Sequence, residues 1–327
     1  MGILAYQFPN QTLKIFQGNW KRSSLDELPK DTFFVSSFTK DEVYYFEMTG
    51  EIESIPSKEL TLGSKNDIFI VNDKSYLFGL EHFKFGFEPV GISKAIYSRI
   101  KFKEGTIDKL EDILRVLASK YQQEALVYLI SDTEFGTWMG ATPEILLEGD
   151  EEEMRTIALA GTKDTEERRW TVKEEEEHQY VVSYVGDIIS KYAQPEIKQS
   201  STETVKNGAV YHLKTKFSFK VAYQNWNELI KELHPTPAVC GTPKEIAQRY
   251  ILTYEPHERK FYTGLIGMKQ SDSLSVFVNL RCMQILQEGF GLYVGGGITK
   301  DSRIEDEWME TEAKSKTLIS VIEEVKE

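Results

Sequence analysis

Cysteine is scarce in this chain of 327 residues, and long apolar runs are missing altogether. The two cysteines, Cys240 and Cys282, form no CxxC pair, which argues against a disulfide framework and against a structural zinc site. No run of roughly eighteen apolar residues occurs, so no membrane-spanning segment is predicted. The opening residues also lack the basic segment of a secretory signal. The cytoplasm is therefore the expected compartment.

Basic residues are in the minority. The 39 lysines and arginines face 52 aspartates and glutamates, which gives a formal net charge of -13 at pH 7. This balance disfavours a nucleic acid or an anionic membrane as the main partner. An acidic protein that binds a carboxylated ligand must supply positive charge locally, through Arg, Lys or a metal ion held by its own carboxylates. A small molecule is the partner that remains.

The chain is long enough to bury a large core, since 40% of its residues are hydrophobic. We find no linker, so we predict one domain over residues 1–327. Its first part, residues 1–90, holds the aromatic and β-branched runs DTFFVSSF, EVYYFEM, NDIFIVN and KSYLFGL, which predict the strands of a meander. The second part, residues 91–327, carries the motifs discussed below.

Beyond residue 90, helical and extended patterns follow one another. The predicted helices are residues 107–121, HQYVVSYVGDIISKYA from residue 178, NELIKELH, PKEIAQRYIL and a last helix from about Ile304. The predicted strands are ALVYLIS, TWMGATPEILLEG, MRTIALAGT, VYHLKTKFSFKVA, FYTGLIGM, LSVFVNLRCMQIL and GLYVGGGIT. Strands follow strands without a helix between each pair, which favours an α+β fold with two antiparallel-sheet halves packed together and helices outside.

Two of the predicted helices present paired carboxylates. Glu174 and Glu177 are spaced i and i+3, and Glu307, Glu310 and Lys314 share one face of the last helix. Oxygen ligands from two helices suit Mg2+, which proteins usually hold with one or two carboxylates. The alternative for either helix alone is a solvated face.

A glycine-rich strand end, YVGGGIT, directly precedes the last helix. Glycines allow a ligand to approach the backbone and allow amide N–H groups to point at an anion. A simple turn would have the same composition. The carboxylate helices beside this segment favour a ligand site.

Taken in order, these segments resemble the chorismate-utilising family, which comprises isochorismate, salicylate, anthranilate and aminodeoxychorismate synthases. The resemblance extends from about Lys94 to Lys314, roughly two-thirds of the chain. The matching segments are KAIYSR (94–99), GATPEILL (140–147), ALAGT (158–162), KEEEEH (173–178), VYHLKT (210–215), HPTPAVCGTP (234–243), ERKFYTGLIG (258–267), VNLR (278–281), YVGGGIT (293–299) and EWMETEAK (307–314).

The resemblance implies a Mg2+ site that binds the ring carboxylate of chorismate. Glu177 and Glu310 would hold the metal, and Glu174 and Glu307 would be outer partners. Lys314 would lie close to these carboxylates.

The resemblance also implies a second carboxylate site. Tyr262 and Arg281, with the backbone amides of Gly295 and Gly297, would bind the enolpyruvyl carboxylate, for which a guanidinium is a suitable partner. Further predicted substrate contacts are Gly161, Thr162 and His212.

For catalysis, the resemblance assigns a base and an acid. Lys94 would activate the water that adds at ring C2, and Glu144 would protonate the departing C4 hydroxyl. Neither residue has a suitable ordinary pKa at neutral pH, so we expect the pKa of the lysine to be lowered and that of the glutamate to be raised.

Ala160 decides among the sister activities in part. Aminodeoxychorismate synthases carry an attacking lysine at this position, and the segment ALAGT resembles the branch that uses water. We therefore expect an isochorismate synthase, an isomerase whose product enters menaquinone or siderophore biosynthesis, with no amidotransferase partner. Salicylate synthase and anthranilate synthase component I are the alternatives.

A non-catalytic chorismate-binding subunit is the alternative from a different class. A protein that had lost its activity should lack at least one of Lys94, Glu144, Glu177, Arg281 and Glu310, and all five are present. The base motif KAIYSR does depart from the usual KVVLSR at three apolar positions. An enzyme is nevertheless the expectation.

Overall fold

The computed structural model describes residues 1–163, 165–207 and 210–326. Its strands are β1 Gly2–Gln7, β2 Lys14–Ser23, β3 Thr32–Ser36, β4 Val43–Glu51, β5 Lys94–Glu104, β6 Leu126–Asp132, β7 Gly136–Thr142, β8 Ile145–Asp150, β9 Met154–Lys163, β10 Gln194–Gln199, β11 Glu203–Asn207, β12 Val210–Lys220, β13 Gly241–Thr242, β14 Leu265–Lys269, β15 Ser273–Val278, β16 Cys282–Leu286 and β17 Gly289–Thr299. The helices are α1 Asp73–Phe85, α2 Phe87–Val90, α3 Leu110–Lys120, α4 Val172–Ser190, α5 Trp226–Leu233, α6 Lys244–Tyr254 and α7 Ile304–Lys326.

The strands form one path of antiparallel pairs. Its first half runs β13-β5-β17-β16-β7-β6-β1, and its second half runs β3-β14-β15-β8-β9-β12, where β10 and β11 both pair with β12. Strands β2 and β4 join the halves, because β2 pairs with β1 and β4 pairs with β3. The predicted α+β fold with large antiparallel sheets is confirmed.

The described residues form four hydrophobic clusters, one of which lies under α1 and α6 beside β5. Between the two halves lies an aromatic cluster that includes Tyr6, Phe33, Trp138, Phe261 and Phe277. Outside the first half, apolar residues of α3 and α7 pack on β6, β7 and β16, and outside the second half α4 and α5 cover β8, β9 and β12. Among the described residues, no helix is both long and apolar enough to cross a membrane.

The prediction of strands at residues 66–80 is wrong. KSYLFGL lies in α1, which begins after Asn72, whose side chain accepts a hydrogen bond of 2.9 Å from the amide of Ser75. Tyr76, Leu80 and Phe83 are buried at helical spacing, so tertiary packing outweighs the β propensity of the aromatic residues. NDIFIVN begins in a 3-10 helix, Lys65–Asp67, and contributes an isolated bridge at Ile70.

The predicted strand LSVFVNLRCMQIL is divided in two. Strand β15 ends at Val278 and β16 begins at Cys282, and in the break Arg281 has a φ of 47°, in the left-handed region. Arg281 lies in this break, and its carbonyl accepts a hydrogen bond from the amide of Ala141 at 3.1 Å.

Arg99 fixes α1 and α7 against β5. Its side chain is almost completely buried and donates to Asp73 at the start of α1 (3.0 Å), to the Thr311 hydroxyl (2.9 Å) and to Glu312 (2.5 Å). The guanidinium also lies 4.8 Å from the ring centroid of Tyr76. One buried cation thus joins two helices to a central strand.

Replacement of this cation should be costly. Arg99→Met keeps most of the apolar stem but removes the donor to Thr311 and Asp73 and leaves Glu312 paired with Lys101 alone, so we expect a loss of about 2 kcal/mol in the free energy of unfolding. Lys103→Met, on the same strand, removes a more exposed pair with Glu323 and should cost less than about 1 kcal/mol. Urea denaturation measures both, and equal losses would contradict the role of Arg99.

Candidate active site

A cavity of about 450 Å3 lies where β5 and β17 meet the N-terminal ends of α4 and α7. Every predicted site residue except Thr162 lines it. They are Lys94, Glu144, Gly161, Glu174, Glu177, His212, Tyr262, Arg281, Gly295, Gly297, Glu307, Glu310 and Lys314. The side chain of Thr162 lies outside the described part of the structure. Residues up to 220 positions apart are therefore brought to one wall.

The pairing of β5 with β17 creates the floor of the cavity. It sets Lys94 opposite Thr299 and Ser98 opposite Gly295. A Cβ atom at Gly297 would lie 2.7 Å from Cε of Lys94, and one at Gly296 would lie 3.0 Å from an oxygen of Glu307. Two of the glycines are thus needed to make room for charged side chains of this chain.

Each helix brings a carboxylate that pairs with a lysine. Nζ of Lys94 lies 2.6 Å from Glu177 of α4, and Nζ of Lys314 lies 2.7 Å from Glu310 of α7. Lys314 also donates to the carbonyl of Gly295 at 2.9 Å. In this arrangement two ammonium groups neutralise the two carboxylates that were predicted to hold a metal.

Glu307 and Glu310 are close enough to influence each other. Burial raises the pKa of Glu307, and the negative charge of Glu310 adds to the increase, although Ser302 donates to Glu307 at 2.6 Å. For Glu310, burial is the largest effect and acts in the same direction, but Lys314, Lys94 and His212 together outweigh it, so the pKa is lowered. Neighbouring carboxylates of this kind are stabilised by a cation.

Glu174 has a different environment. It receives hydrogen bonds from Thr171, with which it forms the capping box that begins α4, and it pairs with Arg168. Both contacts outweigh the effect of burial, so its pKa is lowered. Its carboxylate is on the cavity wall, and its role as an outer metal partner stays a prediction.

The carboxylates suit a small divalent cation. Within residues 1–163, 165–207 and 210–326, no three His, Cys, Asp or Glu side chains converge closely enough to hold a metal by themselves. A metal here would therefore have about two protein ligands, as Mg2+ commonly does, with water and an anionic ligand completing its shell. Glu174 and Glu177 of α4 and Glu307 and Glu310 of α7 face the cavity, and the choice of Glu177 and Glu310 among them stays a prediction.

Glu144 occupies the short gap between β7 and β8, directly after Pro143. Its own carbonyl accepts from the amide of Val278 at 2.8 Å, which holds the backbone while the side chain lines the cavity. Burial of the carboxyl raises its pKa to about 7, against the opposing effects of Lys314, Arg281 and Lys94. The raised pKa that the sequence led us to expect for this acid is present.

Tyr262 and Arg281 lie on the cavity wall from two different segments. Burial raises the pKa of the Tyr262 phenol, which therefore keeps its proton and can donate it in a hydrogen bond. Burial also lowers the pKa of Arg281, but a guanidinium remains charged. These two donors suit a carboxylate.

His212 is held in one tautomer. Its Nδ1 lies 2.8 Å from the carbonyl oxygen of Gly161, which can only accept, so Nδ1 carries the hydrogen. Burial lowers the pKa of the imidazole, which favours the neutral ring. The other ring nitrogen, Nε2, is then an acceptor.

Arg168 was not predicted from the sequence. It lines the cavity and contacts Glu174 from a segment that Lys163 organises through bonds of 2.8 Å and 2.7 Å to the carbonyls of Glu166 and Arg168. The Lys163 ammonium also lies 4.8 Å from the ring centroid of Trp170. No periodic pattern marks these residues, and the only signal is a pair of arginines within an acidic stretch.

Comparison with known proteins agrees with this geometry. Residues 96–323 match the family model of chorismate binding enzymes. Because the match covers more than half of the chain, the protein belongs to this family. Lys94 lies just before the matched range.

Individual relatives are more distant. Isochorismate synthase DhbC of Bacillus subtilis is 29% identical over 197 residues, which are 56% of this chain and 50% of the relative. The chain thus spans about half the length of the curated relatives that it matches first.

Two solved structures share the fold. DhbC of Bacillus anthracis superposes with a TM-score of 0.80 over 98% of this chain and 95% of its own, at 23% identity. The menaquinone-specific isochorismate synthase MenF of Escherichia coli gives 0.79 over 98% and 89%, at 17% identity. At these identities the likeness establishes the fold.

The raised pKa of Glu144 predicts a pH-dependent stability. The pKa of Glu144 is about 7 in the folded protein, against an ordinary value of 4.5. The carboxyl therefore reduces the stability of the folded protein as the pH rises from 4.5 to about 7, and causes no further loss above pH 7. Glu144→Gln imitates the protonated form, so its stability advantage over the wild type should grow by about 1 to 2 kcal/mol between pH 5.5 and 8, after allowance for water in the cavity. Urea denaturation at both pH values measures it, and a constant difference would contradict the raised pKa.

Proposed function

We propose that this protein is an isochorismate synthase, which converts chorismate to isochorismate. The observation that carries the proposal is the presence of Lys94 and the high-pKa carboxyl of Glu144 in one cavity with the paired carboxylates Glu177 and Glu310. A base, an acid and an anion site are what the addition of water at C2 and the loss of the C4 hydroxyl require.

Glu177 and Glu310 would hold Mg2+ in this proposal. The metal would supply positive charge for the ring carboxylate of chorismate. Both glutamates are paired with lysines, which hold the carboxylates at the cavity wall. The acidic net charge is then compatible with an anionic substrate.

Lys94 would take a proton from water. In the ion pair with Glu177, at 2.6 Å, Lys94 is an ammonium and has no lone pair, so it must first lose a proton and leave this contact before its amine can accept a proton from water. The water oxygen then bonds to C2, the double bond shifts, and the C4 hydroxyl departs.

Glu144 would supply the proton for the departing hydroxyl. With a pKa of about 7, a large fraction of this carboxyl is protonated at neutral pH, whereas an ordinary glutamic acid is almost fully ionised. One water enters and one water leaves, so the net reaction is an isomerisation. Lys94 and Glu144 exchange roles in the reverse direction.

Tyr262 and Arg281 would bind the enolpyruvyl carboxylate, together with the amides of Gly295 and Gly297. This end of the substrate does not react at C2 or C4. Its binding therefore contributes equally to the ground state and the transition state, and affects KM more than kcat.

The sister activities are less well supported. Ala160 lines the cavity and offers no amine for a covalent route. The two structural relatives, DhbC and MenF, are named for different pathways, 2,3-dihydroxybenzoate and menaquinone, but both are named isochorismate synthases. We therefore propose the reaction that they share and assign no pathway. Salicylate synthase is the second candidate, since it forms isochorismate before it eliminates pyruvate.

The direct test is incubation of the purified protein with chorismate and Mg2+, followed by separation of the products. Isochorismate alone supports the proposal. Salicylate with pyruvate would identify the sister enzyme, and anthranilate formed only with added ammonia would identify an anthranilate synthase. Chorismate that is bound but unchanged would indicate the non-catalytic class.

Loss of either proton-transfer group should abolish turnover. We expect Lys94→Ala and Glu144→Gln each to lower kcat at least about 100-fold, because each removes one proton transfer. Lys103→Ala, a more exposed lysine on the same strand, is the control and should keep full activity. Near wild-type kcat in either site variant, with folding verified by circular dichroism, would refute the assignment.

The metal site makes a separate prediction. Glu310→Gln removes one negative charge and should raise the Mg2+ concentration for half-maximal activity by about 10-fold or more. Metal binding is measured independently by calorimetric titration of Mg2+. Activity that persists in excess chelator would remove the metal from the proposal.

A further inference from the structure

The break between β15 and β16 contains a completely buried asparagine, Asn279. The hydroxyl of Tyr128 donates to its Oδ1 at 2.7 Å, and its Nδ2 donates to the carbonyl of Phe261 at 3.0 Å. Its backbone amide donates to Gly264 at 2.8 Å, and its carbonyl accepts from Thr263 at 2.8 Å. Three of these four bonds go to the turn at residues 261–264.

Asn279 therefore connects the two segments that carry the proposed carboxylate donors. Tyr262 belongs to the turn, and Arg281 lies two residues after Asn279 in the break. Neighbouring residues of both segments have left-handed backbone, with φ of 60° at Thr263 and 47° at Arg281. Residues other than glycine adopt this backbone conformation only where surrounding contacts hold them in it.

We propose that Asn279 is a positioning residue that sets the distance between Tyr262 and Arg281, and so determines the affinity of the cavity for the side-chain carboxylate of the substrate. This inference rests on the proposed function. Asn279 touches no substrate itself. It acts through the turn on one side and the break on the other.

The chemistry of an amide is required at this position. The Tyr128 hydroxyl is buried and remains protonated, so it must donate, and the amide oxygen faces it. The NH2 group is then directed at the carbonyl of Phe261. A carboxylate of the same shape could accept from Tyr128, but it would meet the Phe261 carbonyl with a second acceptor.

Asn279→Asp is the sharpest test, because it changes one donor to an acceptor and leaves the volume unchanged. We expect KM for chorismate to rise roughly 10-fold, as the loss of a buried hydrogen bond shifts the turn, while kcat changes less than about threefold. The Mg2+ concentration for half-maximal activity should stay within about twofold of wild type. Lower pH should bring the KM of Asn279→Asp closer to that of the wild type, since a protonated carboxyl regains the donor.

Two further variants complete the experiment. Tyr128→Phe removes only the hydroxyl that donates to Asn279, and it should also raise KM. This variant keeps the test available if Asn279→Asp does not fold. Ser131→Ala removes a buried hydroxyl from the same strand, where it contacts Thr137 at 2.7 Å, and should leave KM unchanged. A general loss of packing would affect all three variants alike.

Calorimetric binding of chorismate separates the possible failures. If the wild type binds chorismate and both Asn279→Asp and Tyr128→Phe bind it equally well, the positioning role is overturned and the proposed function stands. A fall in kcat with unchanged KM, or a matching loss of Mg2+ affinity, also overturns it. If the wild type does not bind chorismate, the proposed function fails and this inference fails with it.

Discussion

The antiparallel pairing of β5 with β17 is the constraint on which the site depends. Side chains alternate along a strand, so β5 directs Lys94 and Ile96 into the cavity and Tyr97 and Arg99 towards the helices α1 and α7. A shift of the register by one residue would exchange the two sets. Glycines on β17 leave room for the side chains of β5, since a side chain at Gly297 would collide with Lys94. One strand therefore sets the base and fixes the helix that carries the opposing carboxylates.

Electrostatics explains how an acidic chain can form the proposed site for a dianion. The cavity collects Lys94, Lys314 and Arg281 in one place, although acidic residues prevail over the chain as a whole. Two of these cations are paired with carboxylates, and the pairs keep buried charge compensated. Glu144 is nevertheless easier to protonate than an ordinary glutamate, because burial outweighs the three cations near it. The same cavity thus holds an acid that is partly protonated near neutral pH beside Glu174 and Glu310, whose pKa values are lowered.

The sequence was most informative where short motifs carry charged residues, and least informative where long-range contacts decide. Motifs spread from Lys94 to Lys314 meet in one cavity, as the family resemblance implied. The helix at Asp73–Phe85 was missed because its aromatic residues favour strands locally, and only the core that they enter selects a helix. Arg168 and Asn279 were missed for a related reason. Their partners come from other segments, and no spacing in the chain indicates these contacts.

The central claim is that water, activated by Lys94, supplies the oxygen at C2, while Glu144 protonates the C4 hydroxyl as it departs. Turnover of chorismate in water enriched in oxygen-18, stopped early and analysed by mass spectrometry, tests this claim most directly. The account predicts that each isochorismate molecule gains one labelled oxygen, in the hydroxyl at C2. Isochorismate without the label, formed at the same rate, would mean that the hydroxyl moves within the substrate and would contradict the assignment of the base and the acid.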